Sequence, residues 1–221
     1  MLGKAAIAMW FDVASEVRNE LDDWHAHEHM PERLAIPGFL RGSRWVAADG
    51  GAGYFILYEA RSEATIRAGP YLERLNDPTP WSRKMMPHHR NMVRSLCRVE
   101  SACGAGLGQA LLSVRLSPDP RDPAGLEAWL ASTLLPGLPP RKGLVAAHFL
   151  RSIAAPGVGQ TAEQRIRGGD AAADWIVLVN GYSAEALAAL SAAELNEAAL
   201  VSHGAVPGSV AGLYRLAYLL T

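Results

Sequence analysis

The 221-residue sequence has little cysteine and no excess of charge of either sign. It contains only Cys97 and Cys103, too few for a disulfide framework or a cysteine-rich metal site. Its 21 Lys and Arg residues nearly balance its 22 Asp and Glu residues, which leaves a net charge of −1. This balance argues against a protein that binds nucleic acid through a basic face.

Long apolar runs are also missing. No run is long enough to span a bilayer, and the apolar stretch Lys4–Val13 is followed by Glu16 without a cleavage region. Apolar residues nevertheless make up 49% of the chain, which is enough for a sizeable core. We therefore expect a cytoplasmic protein that binds neither nucleic acid nor a membrane.

The chain repeats one order of secondary structure. Hydrophobic patterns predict βαββαβ over residues 1–103 and again over 104–221. Trp24 aligns with Trp129, and Pro31 with Pro136, each 105 residues further on. The offset is 121 at Ser62 and Ser183, which predicts an insertion of about 16 residues near 154–173, interpreted as a mobile surface loop. The alternative is two unrelated α+β halves of similar length.

The βαββαβ order is the ferredoxin-like arrangement, in which helices cover only one face of the sheet. In the strand Gly53–Glu59, Tyr54 and Tyr58 lie on one face and Phe55 and Leu57 on the other. Because both faces are apolar, each must be covered. We predict an α+β fold in which the two repeats pack sheet against sheet and form an intramolecular, pseudo-dimeric α+β barrel.

The segment Asp22–Gly42 reads DDWHAHEHMPERLAIPGFLRG. Through Trp24, Glu28, His29, Pro31 and the Pro37-Gly38 turn, it resembles the EthD-like branch of the dimeric α+β barrel superfamily. Members of that superfamily include cofactor-free monooxygenases, isomerases, dehydratases and haem-handling enzymes. The resemblance implies a pocket between the first helix and the sheet, with the histidine near it, but it names no substrate.

Helical periodicity places Leu21 and Trp24 on the stripe that faces the sheet, and Glu28 continues that stripe with His29 at its flank. Pro31 disfavours helical geometry at the preceding residue, so the helix is predicted to end near His29. We predict that His29 and Glu28 are the catalytic pair. His29 would transfer a proton near neutral pH, and Glu28 would orient or charge it.

The predicted substrate-binding residues surround this pair, and they are Trp24, His25, Arg33, Arg44, Tyr54 and Tyr58. In the second repeat the aligned positions of Glu28 and His29 hold Thr133 and Leu134. The first repeat is therefore predicted to carry the site, and the second to be a degenerate copy. An alternative is that Glu28 pairs with Arg33 or Arg44 while the histidines are solvated.

A metal site is a further alternative, because His25, His29 and Glu32 have a spacing that could supply three ligands. Pro31 interrupts that spacing and the HExxH pattern is absent, so we expect no metal and no other cofactor. The sequence predicts an isomerase, dehydratase or cofactor-free oxygenase acting on a small apolar or cyclic molecule. The alternative is a non-catalytic module for small-molecule binding or assembly, and either could be a monomer or a homodimer.

Overall fold

The computed structural model describes residues 1–51, 53–67, 69–155 and 159–221. Among the described residues, the strands and α-helices of the first repeat are β1 (Ala5–Asp12), α1 (Arg18–Trp24), α2 (Met30–Leu34), β2 (Phe39–Ala47), β3 (Gly53–Ala60), α3 (Glu63–Arg67), α4 (Gly69–Asn76), α5 (Pro80–Met85) and β4 (Arg90–Cys103). Turns of 3₁₀ helix span Ser15–Val17 and Met86–His88, and a π-helical segment spans His25–His29.

The second repeat follows the same βαββαβ order, and the helix α7 lies in addition between its second and third strands. Its elements are β5 (Ala110–Leu116), α6 (Pro123–Ala128), β6 (Leu144–Ser152), α7 (Ala162–Arg167), β7 (Trp175–Gly181), α8 (Ala184–Ala192), α9 (Glu197–Ser202) and β8 (Val210–Leu220). A π-helical segment (Trp129–Leu134) and a 3₁₀ turn (Leu135–Gly137) follow α6. Within the described ranges, no helix has the length and apolar character needed to cross a membrane.

All eight strands form one closed antiparallel barrel in the order β1-β3-β2-β8-β5-β7-β6-β4. Each repeat contributes four neighbouring strands, and the two sheets join where β2 pairs with β8 and β4 pairs with β6. Closure satisfies the edge strands of both sheets, which would otherwise expose unpaired backbone groups. The predicted intramolecular α+β barrel is therefore confirmed.

The barrel interior is filled with side chains. Phe55 and Leu57 point into it, as the alternation along β3 predicts, while Tyr54 and Tyr58 point towards the helices. The ring of Trp10 lies 5.0 Å from that of Phe55, and its indole N–H donates to Ser113 Oγ at 3.2 Å. A cavity of about 20 Å³ remains at one end of the interior, beside Trp45, Leu57 and His148, and another of the same size lies between the helices and the sheet of the first repeat.

The helix that follows β1 does not end at His29, so that prediction is wrong. The chain passes through the π-helical segment and continues as α2 to Leu34. A π-helix pairs each N–H with the carbonyl five residues earlier, and Pro31 has no N–H to offer the Ala26 carbonyl. The Tyr218 hydroxyl donates to that carbonyl at 3.4 Å instead. A second π-helical segment precedes the aligned Pro136, so the irregularity belongs to the repeat.

The insertion is also different from the mobile surface loop that its composition suggests. Thr161 caps α7 through a capping box, and the Glu163 side chain is buried. Backbone hydrogen bonds join Ala171 to Met92 and Arg94 at 3.0 and 2.8 Å. The segment thus leaves the second repeat and lies on the first. Glu163 is buried because it pairs with Arg33 there, whereas Gln160 and Arg165 are exposed. Residues 156–158 of the predicted loop lie outside the described residues.

The residues between β4 and β5 link the two repeats and pack tightly against the sheet of the second repeat. A Cβ atom added at Gly108 would lie 2.0 Å from the Gly181 carbonyl oxygen. We expect Gly108→Ala to lower the free energy of unfolding by at least ~2 kcal/mol, because backbone would have to move. Gly137→Ala is the control, since its Cβ would meet no atom within 4 Å. Equal denaturant midpoints for the two variants would contradict this packing.

Candidate functional site

The π-helical segment turns two imidazoles towards the sheet of the first repeat. His25 and His29 are 2% and 7% exposed, and their ring centroids are 5.7 Å apart. The Trp24 ring lies 4.4 Å from the His29 ring. An α-helical stripe predicts Glu28 inside and His29 at the flank, whereas the wider π-turn buries His29 and leaves Glu28 half-buried.

His89 adds a third buried imidazole that the sequence analysis does not include in the site. It follows the turn Met86–His88, and its Nδ1 lies 3.0 Å from the Met86 carbonyl oxygen. Its ring is 4.3 Å from Phe11 and 5.9 Å from Trp24. The sequence signal was weak, because the pair His88-His89 sits in a segment with no catalytic pattern.

A small cavity of about 20 Å³ lies among these rings, which is room for about one water molecule. Aromatic, imidazole, thioether and guanidinium groups line it: Met9, Phe11, Trp24, His25, His29, Ile56, Met86, His89, Met92 and Arg167. Of the predicted site residues, Trp24, His25 and His29 reach this cavity. It is closed in the structure, so a larger ligand requires part of its wall to move.

Three buried polar atoms at the site have no hydrogen-bond partner among the described residues. They are Nδ1 of His25, Nδ1 of His29 and Nη1 of Arg33. Tyr58 Oη lies 3.1 Å from His25 Nε2. Burial raises the pKa of Tyr58, so the phenol keeps its proton at neutral pH. His25 Nε2 is therefore hydrogen-bonded to a neutral hydroxyl, while its Nδ1 has no partner among the described residues. Buried polar atoms are nearly always paired, and this concentration of unpaired ones indicates a place for a polar ligand.

The buried histidines are uncharged at neutral pH. Burial, followed by the positive charges of Arg33 and neighbouring groups, lowers the pKa of His29 well below its ordinary value. Burial has the same effect on the pKa of His25, and it lowers the pKa of His89 to about 4. His29 is therefore a neutral base, rather than a group that titrates near pH 7 as the sequence predicts.

Glu28 does not contact His29 in the way the predicted catalytic pair requires. Its Oε1 accepts hydrogen bonds from Trp24 Nε1 at 3.1 Å, Thr79 Oγ1 at 2.5 Å and Ser82 Oγ at 3.4 Å. Thr79 is the N-cap of α5, so the carboxylate ties the π-helical segment to that helix. Glu28 thereby fixes Trp24, which packs on His29.

Arg44 and Tyr54, both predicted to bind substrate, lie behind the cavity wall. Arg44 Nη1 donates to the Asp22 carbonyl at 2.7 Å and lies 3.3 Å from Asp22 Oδ1. The Tyr54 ring stacks on Phe11 at 5.5 Å. The alternative pairing of Glu28 with Arg33 or Arg44 is also wrong, since Arg44 pairs with Asp22 and Arg33 with Glu163.

A buried network of charges joins the site to the insertion. Arg33 Nη2 forms an ion pair with Glu163 Oε1. Arg167 Nη1 lies 3.6 Å from Glu163 Oε2, and Arg167 Nη2 lies 2.9 Å from Asp170 Oδ2. No side chain of these four is more than 5% exposed. Sequence reasoning missed Glu163 and Arg167, because no local pattern connects the insertion to α2.

The spacing of His25, His29 and Glu32 does not produce a metal centre. Glu32 lies nearer the surface, where its Oε1 is 3.4 Å from Arg74 Nη1. Across the ranges that the structure describes, no three His, Cys, Asp or Glu side chains are arranged to hold a metal ion.

The second repeat has the same scaffold with an apolar filling. The positions 105 residues after His25, His29 and Arg33 hold Leu130, Leu134 and Leu138. All three leucines are buried in the core between the second sheet and its helices. The backbone, including its π-helical segment, therefore forms without imidazole or guanidinium groups. The polar residues of the first repeat are not needed for the fold.

Solved structures resemble the whole chain at low sequence identity. An anthrone oxidase-like protein matches with a TM-score of 0.66 and 14% identity, over 98% of this chain and 92% of its own. Candidate monooxygenases from Fusobacterium nucleatum and Lactobacillus acidophilus match with TM-scores of 0.60 and 0.59, at 7% and 9% identity. These matches cover 99% of this chain and 95% and 96% of theirs. No protein-family model or curated protein sequence matches the chain. At these identities the likeness concerns the fold.

The buried histidines predict a loss of stability in acid. In the unfolded chain an imidazole binds a proton near pH 6.5, whereas folded His89 does so only near pH 4. The unfolded state therefore holds more protons between these values, and the free energy of unfolding falls as the pH drops from about 6.5 to 4. The contribution is complete above that window. Each such histidine adds up to ~1.4 kcal/mol per pH unit.

Urea denaturation between pH 4 and 8 measures this slope. His89→Gln is expected to reduce it by up to ~1.4 kcal/mol per pH unit, whereas substitution of the exposed His27 by Gln is expected to leave it at the wild-type value. A His89→Gln slope equal to that of wild type would show that burial does not keep this imidazole neutral.

The hydrogen bonds of Glu28 predict a stabilising role for its carboxylate. Glu28→Ala removes the shared acceptor of Trp24 and Thr79, so we expect the free energy of unfolding to fall by ~1–3 kcal/mol. Asp23→Ala, at an exposed position on α1, is the matched control and is expected to change stability by less than ~0.5 kcal/mol. Equal thermal midpoints for the two variants would argue against this role.

Proposed function

Because the chain has the fold of the dimeric α+β barrel superfamily, we propose that it is an enzyme that removes a proton from a small, mainly apolar cyclic molecule. The reaction takes place in the cavity between the first helix and its sheet, with His29 as the proton acceptor. The main support is the set of unpartnered polar atoms around that cavity, at positions where the second repeat has leucine.

His29 is better suited to accept a proton than its neighbours. His25 Nε2 is already hydrogen-bonded to the Tyr58 hydroxyl at 3.1 Å. Nδ1 of His89 lies within hydrogen-bond distance of the Met86 carbonyl. For His29, no described residue bonds Nδ1, which leaves this nitrogen for a ligand. A general base must come within hydrogen-bond reach of the proton that it removes.

The low pKa of His29 opposes protonation from solvent more than proton transfer from a bound ligand. Proton transfer inside the cavity leaves the net charge of the cavity unchanged, because the transfer creates an imidazolium and an anion together. The buried Arg33 guanidinium can stabilise the anion. The Trp24 ring, 4.4 Å from His29, can stabilise the imidazolium through its π-face. Glu28 acts as a positioning residue because it holds Trp24 in place.

Oxygenation is the reaction to test first, because the similar structures include an anthrone oxidase-like protein and candidate monooxygenases. On anthrone, His29 would take a proton from the CH₂ carbon, and the resulting enolate would react with O₂. Anthrone and O₂ give anthraquinone and water. The carbon loses two hydrogens and gains one oxygen atom, while the second oxygen atom leaves in water. The substrate supplies all four electrons, so the balance requires no further reductant.

A cavity of about 20 Å³ is small for a catalytic site. This size favours one alternative, a binding module that performs no chemistry. Such a module would bind a ligand without changing it, and the buried histidines would serve only as hydrogen-bond donors and acceptors. Measurement of proton exchange distinguishes the two functions, because an enzyme that ionises its ligand exchanges the ligand's acidic hydrogen with solvent even when O₂ is absent.

We expect wild-type protein to convert anthrone to anthraquinone, measured by absorbance, and to exchange the CH₂ hydrogens in D₂O under nitrogen. His29→Leu installs the residue that the second repeat has at the aligned position and should lower both rates by ~10²-fold or more. His27→Leu, at an exposed position on the same segment, should retain them. Equal rates for wild type and His29→Leu would refute the role of His29. Binding without exchange or oxidation would favour the non-catalytic module.

A further inference from the structure

We infer that Glu163 is an internal competitor of the ligand. In the closed structure its carboxylate occupies the place on Arg33 where an anionic oxygen of the ligand binds, and an anionic ligand displaces α7 to reach the site. The inference rests on the proposed site beside His29. It adds the class of ligand, a small cyclic acid that binds through a carboxylate or enolate oxygen, and the way in which the site opens.

The wall of the first repeat carries two guanidinium groups, that of the buried Arg33 and that of the half-buried Arg94. Arg33 projects from α2 and Arg94 from β4, and both lie 6.0 Å from the centre of the Tyr71 ring. Arg94 Nη2 donates to the Tyr71 hydroxyl at 2.7 Å. Among the described residues, no carboxylate of the first repeat lies within ion-pair distance of either arginine. A buried charge without a partner is costly, so this wall requires an anion from elsewhere.

The insertion supplies that anion in the closed structure. Glu163 pairs with Arg33, while Arg167 pairs with Asp170 and Glu163 of its own segment. The three buried charges of the segment, Glu163, Arg167 and Asp170, sum to −1 and face a wall of charge +2, while Arg165 is exposed. If α7 moves away, Arg167 keeps a partner within the segment, whereas Arg33 loses the one carboxylate that pairs with it among the described residues. An anionic ligand can take the place of Glu163 without leaving any other charge of the network unpaired.

The closed network still contains one more cation than anions. Arg33, Arg94 and Arg167 supply three positive charges, and Glu163 and Asp170 supply two negative ones. Arg33 Nη1 remains buried without a partner among the described residues. Glu163 therefore satisfies Arg33 only in part, and an added anion would be favoured over a neutral ligand of the same shape.

The backbone around α7 allows this helix to move by itself. Gly168 and Gly169 follow it with φ values of +84° and +99°, and Gly159 precedes it with φ +70°. Beyond the glycine pair, Ala171 is fixed to Met92 and Arg94 by backbone hydrogen bonds. Glycines of this kind can absorb a hinge rotation, so α7 can swing outwards while Ala171 stays in place.

Movement of α7 also opens the cavity beside His29. Arg167, the last residue of α7, is one of its lining residues, and a cavity of about 20 Å³ is far smaller than a ring compound requires. When α7 leaves, Arg167 leaves the wall and Arg33 is uncovered in the same step. A planar acid could then place its ring against Trp24 and its anionic oxygen on Arg33.

Isothermal titration calorimetry with defined probes tests this competition. Benzoate supplies a carboxylate, ionised cyclohexane-1,3-dione supplies an enolate, and benzamide is the neutral control. We expect Glu163→Gln to bind benzoate about tenfold more tightly than wild type, because the competitor is removed, with benzamide unchanged. Arg33→Met should abolish the preference for benzoate over benzamide. Glu32→Gln, which alters a neighbouring carboxylate paired with Arg74, is the matched control and should leave benzoate affinity unaltered.

Hydrogen exchange in the wild-type protein tests the same proposal without a substitution in the buried network. Benzoate should increase amide exchange in residues 162–167, and benzamide should not. If Glu163→Gln does not tighten benzoate binding and benzoate does not increase exchange in α7, the inference is overturned. If the enolate alone competes with Glu163, the ligand class is the enolate and not the carboxylate.

Failure of this inference can be distinguished from failure of the proposed function. Benzoate binding does not require proton transfer, so the effect of Glu163→Gln on it can be measured whether or not the protein turns over anthrone. Competition by benzoate without any turnover of anthrone would contradict the proposed function and support the inference. Turnover of anthrone that depends on His29, with no effect of Glu163→Gln on benzoate affinity, would overturn the inference and leave the function standing.

Discussion

The pairing of β2 with β8 and of β4 with β6 is the constraint on which the molecule depends. A ferredoxin-like sheet is covered by helices on one face only, so its other face and its two edges need a partner. Here the second repeat of the same chain provides that partner. The enclosed faces meet through large side chains such as Trp10, Trp45 and Phe55, which fill most of the barrel. The candidate site lies in the outer layer, between helices and sheet, where the unpartnered imidazoles of the first repeat are.

The helical layers of the two repeats show which features the fold requires and which are particular to the first repeat. Both contain a π-helical segment before an aligned proline, and in the second layer leucines fill the space that His25, His29 and Arg33 occupy in the first. Leucine stabilises such a position through burial alone, whereas an imidazole or guanidinium must be desolvated and then paired. The polar set is retained at a cost in stability, which is typical of a functional site and unusual for a structural core.

Sequence patterns predicted the features that follow from local periodicity. The predicted βαββαβ order recurs in both repeats of the structure, and the alternation along β3 placed Tyr54 and Phe55 on opposite faces of the strand, as they are in the structure. The site was less predictable. A regular 3.6-residue period predicts that Glu28 points inwards and that His29 lies at the flank, which is the reverse of the structure. The period contains no information about a π-turn, which changes the direction of both side chains. Glu163 was missed because its partner, Arg33, is 130 residues away in the sequence, and composition alone makes its segment resemble a solvated loop.

Burial connects the chemistry of the site to its accessibility. The same exclusion of water that keeps His29 neutral also leaves a cavity of only about 20 Å³. A neutral imidazole in a dry site can accept a proton only if an anion forms beside it, since a lone imidazolium would add to an existing excess of positive charge. A carboxylate from the second repeat reduces that excess while the site is empty. The second repeat has leucines at the aligned positions, but it supplies the carboxylate that lets the first repeat bury Arg33.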